Sequence, residues 1–277
     1  MPRLEVTRLL KEAGIRPDKS LGQNFLVDEN ALRNIIAVSQ LSSTDTVLEI
    51  GSGLGNLTRY LAMSAQEVVA VELSGALIPV LQKVVKGYGN VQVVEGDILK
   101  LSIDDLIKAD QFLVVANIPY YITSAIIRHL LNGDHKPGRM ILTIQKEVAQ
   151  RICARPGEMS LLALSVQVYG KPDVVAQIPA EAFYPAPEVD SSVIRIAIFP
   201  EPLIPTSLMD SFFALARAGF SQKRKTLRNS LSGGLSTSPA EAEMLLKSAG
   251  IDPKRRAETL EIGEWTILTQ CYQRDRR

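Results

Sequence analysis

Thr46-Val47-Leu48-Glu49-Ile50-Gly51-Ser52-Gly53-Leu54-Gly55-Asn56-Leu57-Thr58 is the stretch whose reading decides the fold. Val47, Leu48 and Ile50 read as a short buried strand with Glu49 near its carboxyl end. Three glycines follow at alternate positions, and a helical pattern starts around Leu57, Tyr60 and Leu61. Glycine allows a sharp turn and a close backbone approach to a ligand, because no Cβ stands in the way. Strand, glycine turn and helix in that order open a doubly wound α/β sheet, where ligands sit at the carboxyl ends of the strands, near the point where strand order reverses.

The acids refine this reading. A dinucleotide fold would show Gly-x-Gly-x-x-Gly with a helix start facing a pyrophosphate. Here the third glycine comes one residue early, and Glu49, just before the turn, would repel phosphate. Both features speak against a dehydrogenase. Glu49 suits a ligand bearing positive charge, such as the sulfonium and ammonium groups of S-adenosylmethionine. Val68-Val69-Ala70-Val71-Glu72 reads as a second buried strand, and its terminal acid lies 21 positions after Gly51, where it can accept both hydroxyls of a ribose. The plainer alternative for the glycines is a tight turn with no ligand. Residues 91–98 form a third strand pattern leading to Asp97 and Ile98. Asp97 either accepts from an adenine amino group or caps a short helix over 103–108.

Phe112-Leu113-Val114-Val115-Ala116 is a fourth buried strand, and it runs into Asn117-Ile118-Pro119-Tyr120-Tyr121. This turn suits methylation of an exocyclic amine, whose lone pair is delocalised into its ring. Such a nitrogen needs acceptors for its two hydrogens and an aromatic face to hold the base. The Asn117 amide oxygen and the Ile118 or Pro119 carbonyl supply the acceptors, with proline holding the backbone stiffly. Tyr120 supplies a stacking face of the kind worth about 1–3 kcal/mol per base. A charged methyl donor then needs mainly in-line approach, so orientation carries most of the rate and no strong base is required. A polar turn with two packed tyrosines is the simpler reading of the same residues.

The bulk numbers narrow the class. The chain has 277 residues, 46% hydrophobic and 22% charged, with a net charge of +1. That is ordinary for a soluble globular protein and leaves any nucleic-acid contact to local basic patches. No apolar run nears the roughly 18 residues that cross a bilayer, and the charged N-terminus lacks the apolar stretch of a signal peptide. Cys153 and Cys271 have no disulfide or metal spacing, so a reducing cytoplasm is expected, with no membrane and no metal. His129 and His135 read as surface or helix-end residues.

Along the remaining chain, residues 3–14 read as an amphipathic helix stopped by Gly14, and Asp28 as the cap of the next helix. The polar stretch Lys19 to Leu26 reads as a loop. Helices are expected over 76–85 and 124–131, a fifth strand over 140–144, and a helix from Gln145 broken at Arg155-Pro156-Gly157. Leu161–Tyr169 and Ser192–Phe199 look like the antiparallel pair that closes the sheet. Between them, Phe183 stands in a proline-stiffened loop, either as a second wall of a base pocket or as an anchor packed on the sheet. Pro200, Pro202 and Pro205 mark a linker, which divides the chain into residues 1–200 and an all-helical part, 201–277. Ser232-Gly233-Gly234 to Pro239 reads as a break between two helices. Arg217, Lys223, Arg224, Lys225 and Arg228 place five cations in 12 residues without an acid, a pattern that favours RNA contact over a merely solvated face. Lys254-Arg255-Arg256 and the C-terminal arginines add to it.

Taken together, these stretches closely resemble the small-subunit ribosomal RNA adenine dimethyltransferases, the bacterial enzymes whose loss gives kasugamycin resistance. The resemblance runs from Lys19 to about Leu268. Its further marks are Leu21-Gly22-Gln23-Asn24-Phe25-Leu26, Gly96-Asp97, Gln145-Lys146-Glu147-Val148-Ala149, Phe183-x-Pro-x-Pro, Phe220-Ser221-Gln222-Lys223-Arg224-Lys225-Thr226-Leu227 and Arg256-x-Glu258-x-Leu260. It implies a Rossmann-like S-adenosylmethionine-dependent methyltransferase sheet, mostly parallel with an antiparallel last strand, and a small helical RNA-binding domain at the C-terminus. The implied reaction is double methylation of two adjacent adenines in the terminal helix of 16S rRNA, on RNA or immature 30S subunits, by a monomer.

By the same resemblance, Asn24 and Leu26 close over the cofactor. Gly51 and Gly53 approach its methionine part, Glu72 its ribose, and Asp97 its adenine, with Ile98 beside it. Asn117 touches cofactor and target amine, while Tyr120 and Phe183 sandwich the flipped-out base. Ser74, Met159, Leu161-Leu162 and Glu188 depart from the family pattern, the last two removing a turn or a positive charge near the RNA side. Two alternatives stand beside this reading: a large-subunit RNA adenine methylase of the macrolide-resistance type, and a ribosome-assembly factor whose methylation is incidental.

Overall fold

The structure, a computed structural model, describes residues 4–18, 21–119, 122–133 and 135–275. It divides into two compact units, residues 1–149 with 171–198, and residues 150–170 with 199–277.

The first unit opens with α1 (Val6–Glu12), the two-residue strand β1 (Phe25–Leu26) and α2 (Glu29–Ser39). Asp28 caps α2 by accepting from the Ala31 N–H, as its place before the apolar pattern predicts. The strands β2 (Thr46–Ile50), β3 (Glu67–Glu72), β4 (Val91–Glu95), β5 (Leu113–Asn117) and β6 (Arg139–Gln145) alternate with α3 (Asn56–Ala62), α4 (Ile78–Val85), α5 (Ile103–Leu106) and α6 (Thr123–Asn132). The helix α7 (Lys146–Ile152) leads out of β6, and α8 (Leu161–Gln167) follows it. The chain then forms β7 (Gly170–Ile178), β8 (Phe183–Tyr184) and β9 (Ser191–Ile198).

Seven strands make one sheet in the order β4-β3-β2-β5-β6-β9-β7. β4, β3, β2, β5 and β6 run parallel, and β9 runs antiparallel to β6. This is the expected doubly wound sheet with an antiparallel last strand. Its inner strands are mostly apolar because a parallel sheet is covered on both faces. Val47, Leu48, Val68, Val114, Val115 and Leu142 are all at 1% exposure or less. The chain runs outward from β2 to β4 and then returns to lay β5 on the other side of β2. Strand order therefore reverses between β2 and β5.

The closing pair differs from the sequence reading. Leu161–Tyr169 is not a strand: Ser160 accepts from the Ala163 N–H and starts α8 there. A short apolar run fits a strand and a buried helix equally well, and here the cap decides for the helix. The strand beside β9 is instead β7, whose Pro172 and exposed Lys171, Asp173 and Val174 mark it as an edge.

The second unit is helical: α8 and then α9 (Met209–Phe220), α10 (Leu227–Leu235), α11 (Pro239–Ser248) and α12 (Ile262–Arg274). Its start differs from the expected boundary at residue 200, because residues 150–170 group with the C-terminal helices. The Gly157 and Met159 N–H groups both donate to the Glu258 carbonyl, which joins the two segments. Trp265 is fully buried, with Phe220 stacked on it and Phe212 edge-on. Gly233 and Gly234 are not a break. They lie inside α10, where a Cβ on Gly234 would stand 2.5 Å from the Ala218 backbone, so the glycine lets α10 press against α9.

Candidate active site

Where strand order reverses, the backbone beyond β2 turns through Gly51 at φ +73° and Gly53 at φ +58°. A Cβ on Gly53 would stand 3.1 Å from the Phe25 ring, and one on Gly51 would stand 3.4 Å from the Asn117 carbonyl oxygen. The left-handed backbone favours glycine at both positions, and at Gly53 the Phe25 ring adds crowding. The turn borders a solvent-open cleft. Asn24, Leu26, Glu49, Gly51, Gly53, Glu72, Asp97, Ile98, Asn117 and Pro119 all line it. Residues spread over nearly a hundred positions of sequence are thus brought to one place.

Glu49, Glu72 and Asp97 are the ionisable side chains among the described lining residues; Asp97 also pairs at 3.5 Å with Lys100, which stands outside the lining. Glu49 is 1% exposed, and one of its carboxyl oxygens has no hydrogen-bond partner. Burial pushes its carboxyl up to about 8; the hydroxyls of Thr58 and Ser52 beside it pull the other way, and Glu72 adds to the rise. A buried acid with an unsatisfied oxygen is costly, and a cationic ligand would relieve the cost.

Burial likewise raises Glu72, partly offset by backbone N–H groups. Its two oxygens accept from the Gly53 N–H at 2.7 Å and the Ser74 N–H at 2.8 Å. Glu72 therefore ties the glycine turn to the end of β3 and keeps spare lone pairs toward the cleft. Asp97 accepts from the Leu99 N–H at 3.1 Å and does not cap α5. Ser102 does that, through the Asp105 N–H.

At the end of β5, the Asn117 side-chain N–H donates to the Asn24 carbonyl at 3.1 Å, a contact spanning 93 positions. A carbonyl can only accept, so the amide nitrogen must face Asn24 and the amide oxygen the other way. The Pro119 carbonyl already accepts from the Ile122 N–H at 3.2 Å and the Thr123 hydroxyl at 3.4 Å. Tyr120 lies outside the described residues.

Phe183 takes the second of its two expected places, as a packed anchor. It is 3% exposed and packs in a core cluster with Leu26, Ile178 and Ala182. The reason is local. β8 pairs antiparallel with β1, Leu26 opposite Phe183 and Phe25 opposite Tyr184, and the alternation of a strand turns Phe183 inward.

Sequence reasoning missed Asn56 and Phe25. Asn56 begins α3 with a buried side-chain oxygen lacking a partner, in the wall of the cleft. Its position directly after the third glycine is the signal that would have found it. Phe25 fills the space over Gly53, and no local pattern announces that contact.

In the second unit, Arg217, Lys223, Arg224 and Lys225 are exposed around the turn between α9 and α10. Arg228 differs: it pairs with Glu243 at 3.2 Å. Arg255 is held in a fork by Glu264, with one N···O distance of 3.0 Å, and also donates to the Thr259 carbonyl. Arg256 lies 3.6 Å from Glu258. Arg228 continues the basic run, partly exposed but paired with Glu243.

The family of ribosomal RNA adenine dimethylases matches residues 15–274. A ribosomal RNA small subunit methyltransferase A from Dehalococcoides mccartyi (strain CBDB1) is 47% identical over 260 residues, covering 93% of this chain and 89% of the relative. Its counterpart from Moorella thermoacetica is 41% identical over 276 residues, covering 96% of both chains. Among solved structures, a dimethyladenosine transferase from Plasmodium falciparum superposes with a TM-score of 0.76 at 26% identity, covering 90% of this chain and 98% of that one. The 23S rRNA methyltransferase ErmE superposes at 0.70 with 27% identity, covering 90% and 100%. With its acid-lined cleft and Asn117 at the strand switch, the chain belongs to the ribosomal RNA adenine dimethylase family.

Proposed function

We propose that the protein transfers methyl groups from S-adenosylmethionine to the N6 amines of two adjacent adenosines in the 3′-terminal helix of 16S rRNA, giving N6,N6-dimethyladenosines as the small subunit matures. The observation that carries this reading is the Asn117 amide, held by Asn24 with its oxygen free to accept, beside a cleft lined by three carboxyls and no cation among the described residues. Such a cleft rejects phosphate and receives a ligand with positive charge and a ribose.

S-adenosylmethionine fits these residues and supplies a methyl group activated on a positively charged sulfur. Glu49 and the unpartnered Asn56 oxygen would hold its ammonium, Glu72 its ribose hydroxyls, and Asp97 its adenine amino group, with Ile98 against the ring. The protein's part in the transfer is orientation. Asn117 Oδ1 accepts one N6 hydrogen and draws it out of the ring plane, which takes the nitrogen lone pair out of conjugation with the ring. We assign the second acceptor to the Ile118 carbonyl, because the Pro119 carbonyl is already engaged. Tyr120 remains our choice for a face that holds the extruded base, and extrusion costs a few kcal/mol. Bound there, S-adenosylmethionine would supply the methyl with loss of its carbon–sulfur bond, and the methylated amine would release its proton to water. Arg217, Lys223, Arg224 and Lys225 would bind RNA phosphates, without sequence preference.

The names of the most similar curated relatives assign them to the small subunit, and that is why we place the substrate there. A large-subunit target is the second reading, favoured by the likeness to ErmE. Labelled S-adenosylmethionine, offered with unmethylated small subunits or with large subunits and followed by nucleoside analysis, tests the proposal. Dimethyladenosine in the small subunit alone is expected. Label in the large subunit alone would move the protein to the second reading, and label in neither would point to an assembly role.

A further inference from the structure

We infer that Tyr184 stacks on a base of the RNA beside the target adenosine, an inference that rests on the RNA substrate proposed above. In the β1–β8 pair, residues directly opposite one another share a face. Leu26 and Phe183 form the inward face and both belong to one core cluster. Phe25 and Tyr184 form the other, and Phe25 lines the cleft with its ring over Gly53. Tyr184 thus shares the Phe25 side of the pair without itself lining the cleft, and it is 40% exposed while Phe25 is 7% exposed. Through Phe25 and Asn24 it is two short steps from the Asn117 amide.

The loop that presents Tyr184 is fixed at both ends. The Val27 N–H donates to the Ala182 carbonyl at 2.8 Å, the Lys146 N–H donates to the Asp190 carbonyl at 3.0 Å, and the Asp190 carboxylate accepts from the Ala180 N–H at 3.2 Å. Pro185 and Pro187 stiffen it further. An aromatic ring held ready in this way binds without a large ordering cost. The charge of the loop selects the kind of contact. Glu188 and Asp190 are its ionisable residues after Tyr184, and it has no cation to grip a phosphate. What it offers RNA is a ring face, and every base has a π-face to lay on it.

The test is equilibrium binding of the full-length protein to unmethylated small subunits over a range of salt concentrations, with large subunits alongside. Tyr184→Ala is expected to weaken small-subunit binding about 5- to 150-fold. The slope of log affinity against log salt should stay unchanged, because every phosphate partner is kept. Tyr184→Phe should restore affinity, while S-adenosylmethionine binding and melting temperature stay at the wild-type level in both variants. Wild-type affinity in Tyr184→Ala would overturn the inference and leave the substrate untouched. A loss accompanied by weaker cofactor binding and a lower melting temperature would also overturn it, because Tyr184 would then only brace β1. A wild-type protein that binds neither subunit would instead sink the substrate reading itself.

Discussion

The cleft of the first unit and the basic turn of the second carry opposite charge in opposite settings. The cleft uses three carboxyls, one of them 1% exposed and short of a hydrogen-bond partner, with no cation among its described lining residues. The turn uses Arg217, Lys223, Arg224 and Lys225, all exposed, with no acid between 217 and 225. Buried groups act one at a time, strongly and with little salt screening. Exposed groups act together, weakly, and through the ionic atmosphere. A substitution in the cleft should therefore change one property by a large factor. A substitution in the turn should change affinity by a small factor that depends on salt.

The sharpest way to break that contrast is Asn117→Ala. It removes the acceptor for the target amine and the donor to Asn24. Loss of one preorganised hydrogen-bonding group commonly costs about 10²–10³ in rate. Single-turnover methyl transfer should fall by at least that factor, with binding to small subunits unchanged. Near-normal turnover would remove Asn117 from the mechanism.

Glu72→Gln comes next. The amide keeps one acceptor oxygen, so either the Gly53 or the Ser74 N–H loses its partner. A buried group left unsatisfied costs about 1–3 kcal/mol. Cofactor affinity should drop about 5- to 150-fold, read by calorimetry, and melting temperature should fall as well. A variant that loses affinity at full stability would show that Glu72 serves the ligand and not the turn.

Glu49 sharpens the comparison through pH. Its carboxyl stands at about 8 in the free protein against an ordinary value of 4.5, burial being the main cause. Between those values the folded protein holds a proton that the unfolded chain has released, so this group lowers stability as pH rises through the window. Glu49→Gln should therefore melt higher than wild type, and by more at about pH 8.5 than at about pH 6. A bound cation favours the ionised form, so cofactor binding should release a proton and tighten from about pH 6 to about 8. Calorimetry in buffers of different ionisation enthalpy reads that proton directly. The Gln variant should release none.

What the sequence made legible follows the range of the interactions. β2, β3 and β5 were readable because buried parallel strands are apolar without interruption, and the acids at or near the ends of β2 and β3 stand out against that background. Asp28 was readable as a cap because capping reaches only three residues. Leu161–Tyr169 was not, since a short apolar run suits either element until Ser160 is seen to cap a helix. Phe183 turned inward because of a two-residue pairing with Leu26 across more than 150 positions, which no periodicity encodes. The Asn24–Asn117 bond is of the same kind. A charge count misses pairings for the same reason: Arg228 lies in a basic run, but its carboxylate partner stands 15 residues on, in another helix.

That last point sets up the smallest expected effects. Lys223→Ala, Arg224→Ala and Lys225→Ala should each weaken subunit binding only a few-fold at moderate salt, because an exposed cation contributes little by itself. Their signature is the salt dependence. Removing one cation that meets a phosphate should lower the slope of log affinity against log salt by about 1, and the triple variant should lower it by about 3. Arg228→Ala provides the control inside the same run. Its guanidinium is already paired with Glu243, so its removal should leave the slope near that of the wild type. If Arg228→Ala lowered the slope as much as Arg224→Ala does, Glu243 would have to release it on binding RNA, and the basic surface would extend from the exposed turn into the first turn of α10.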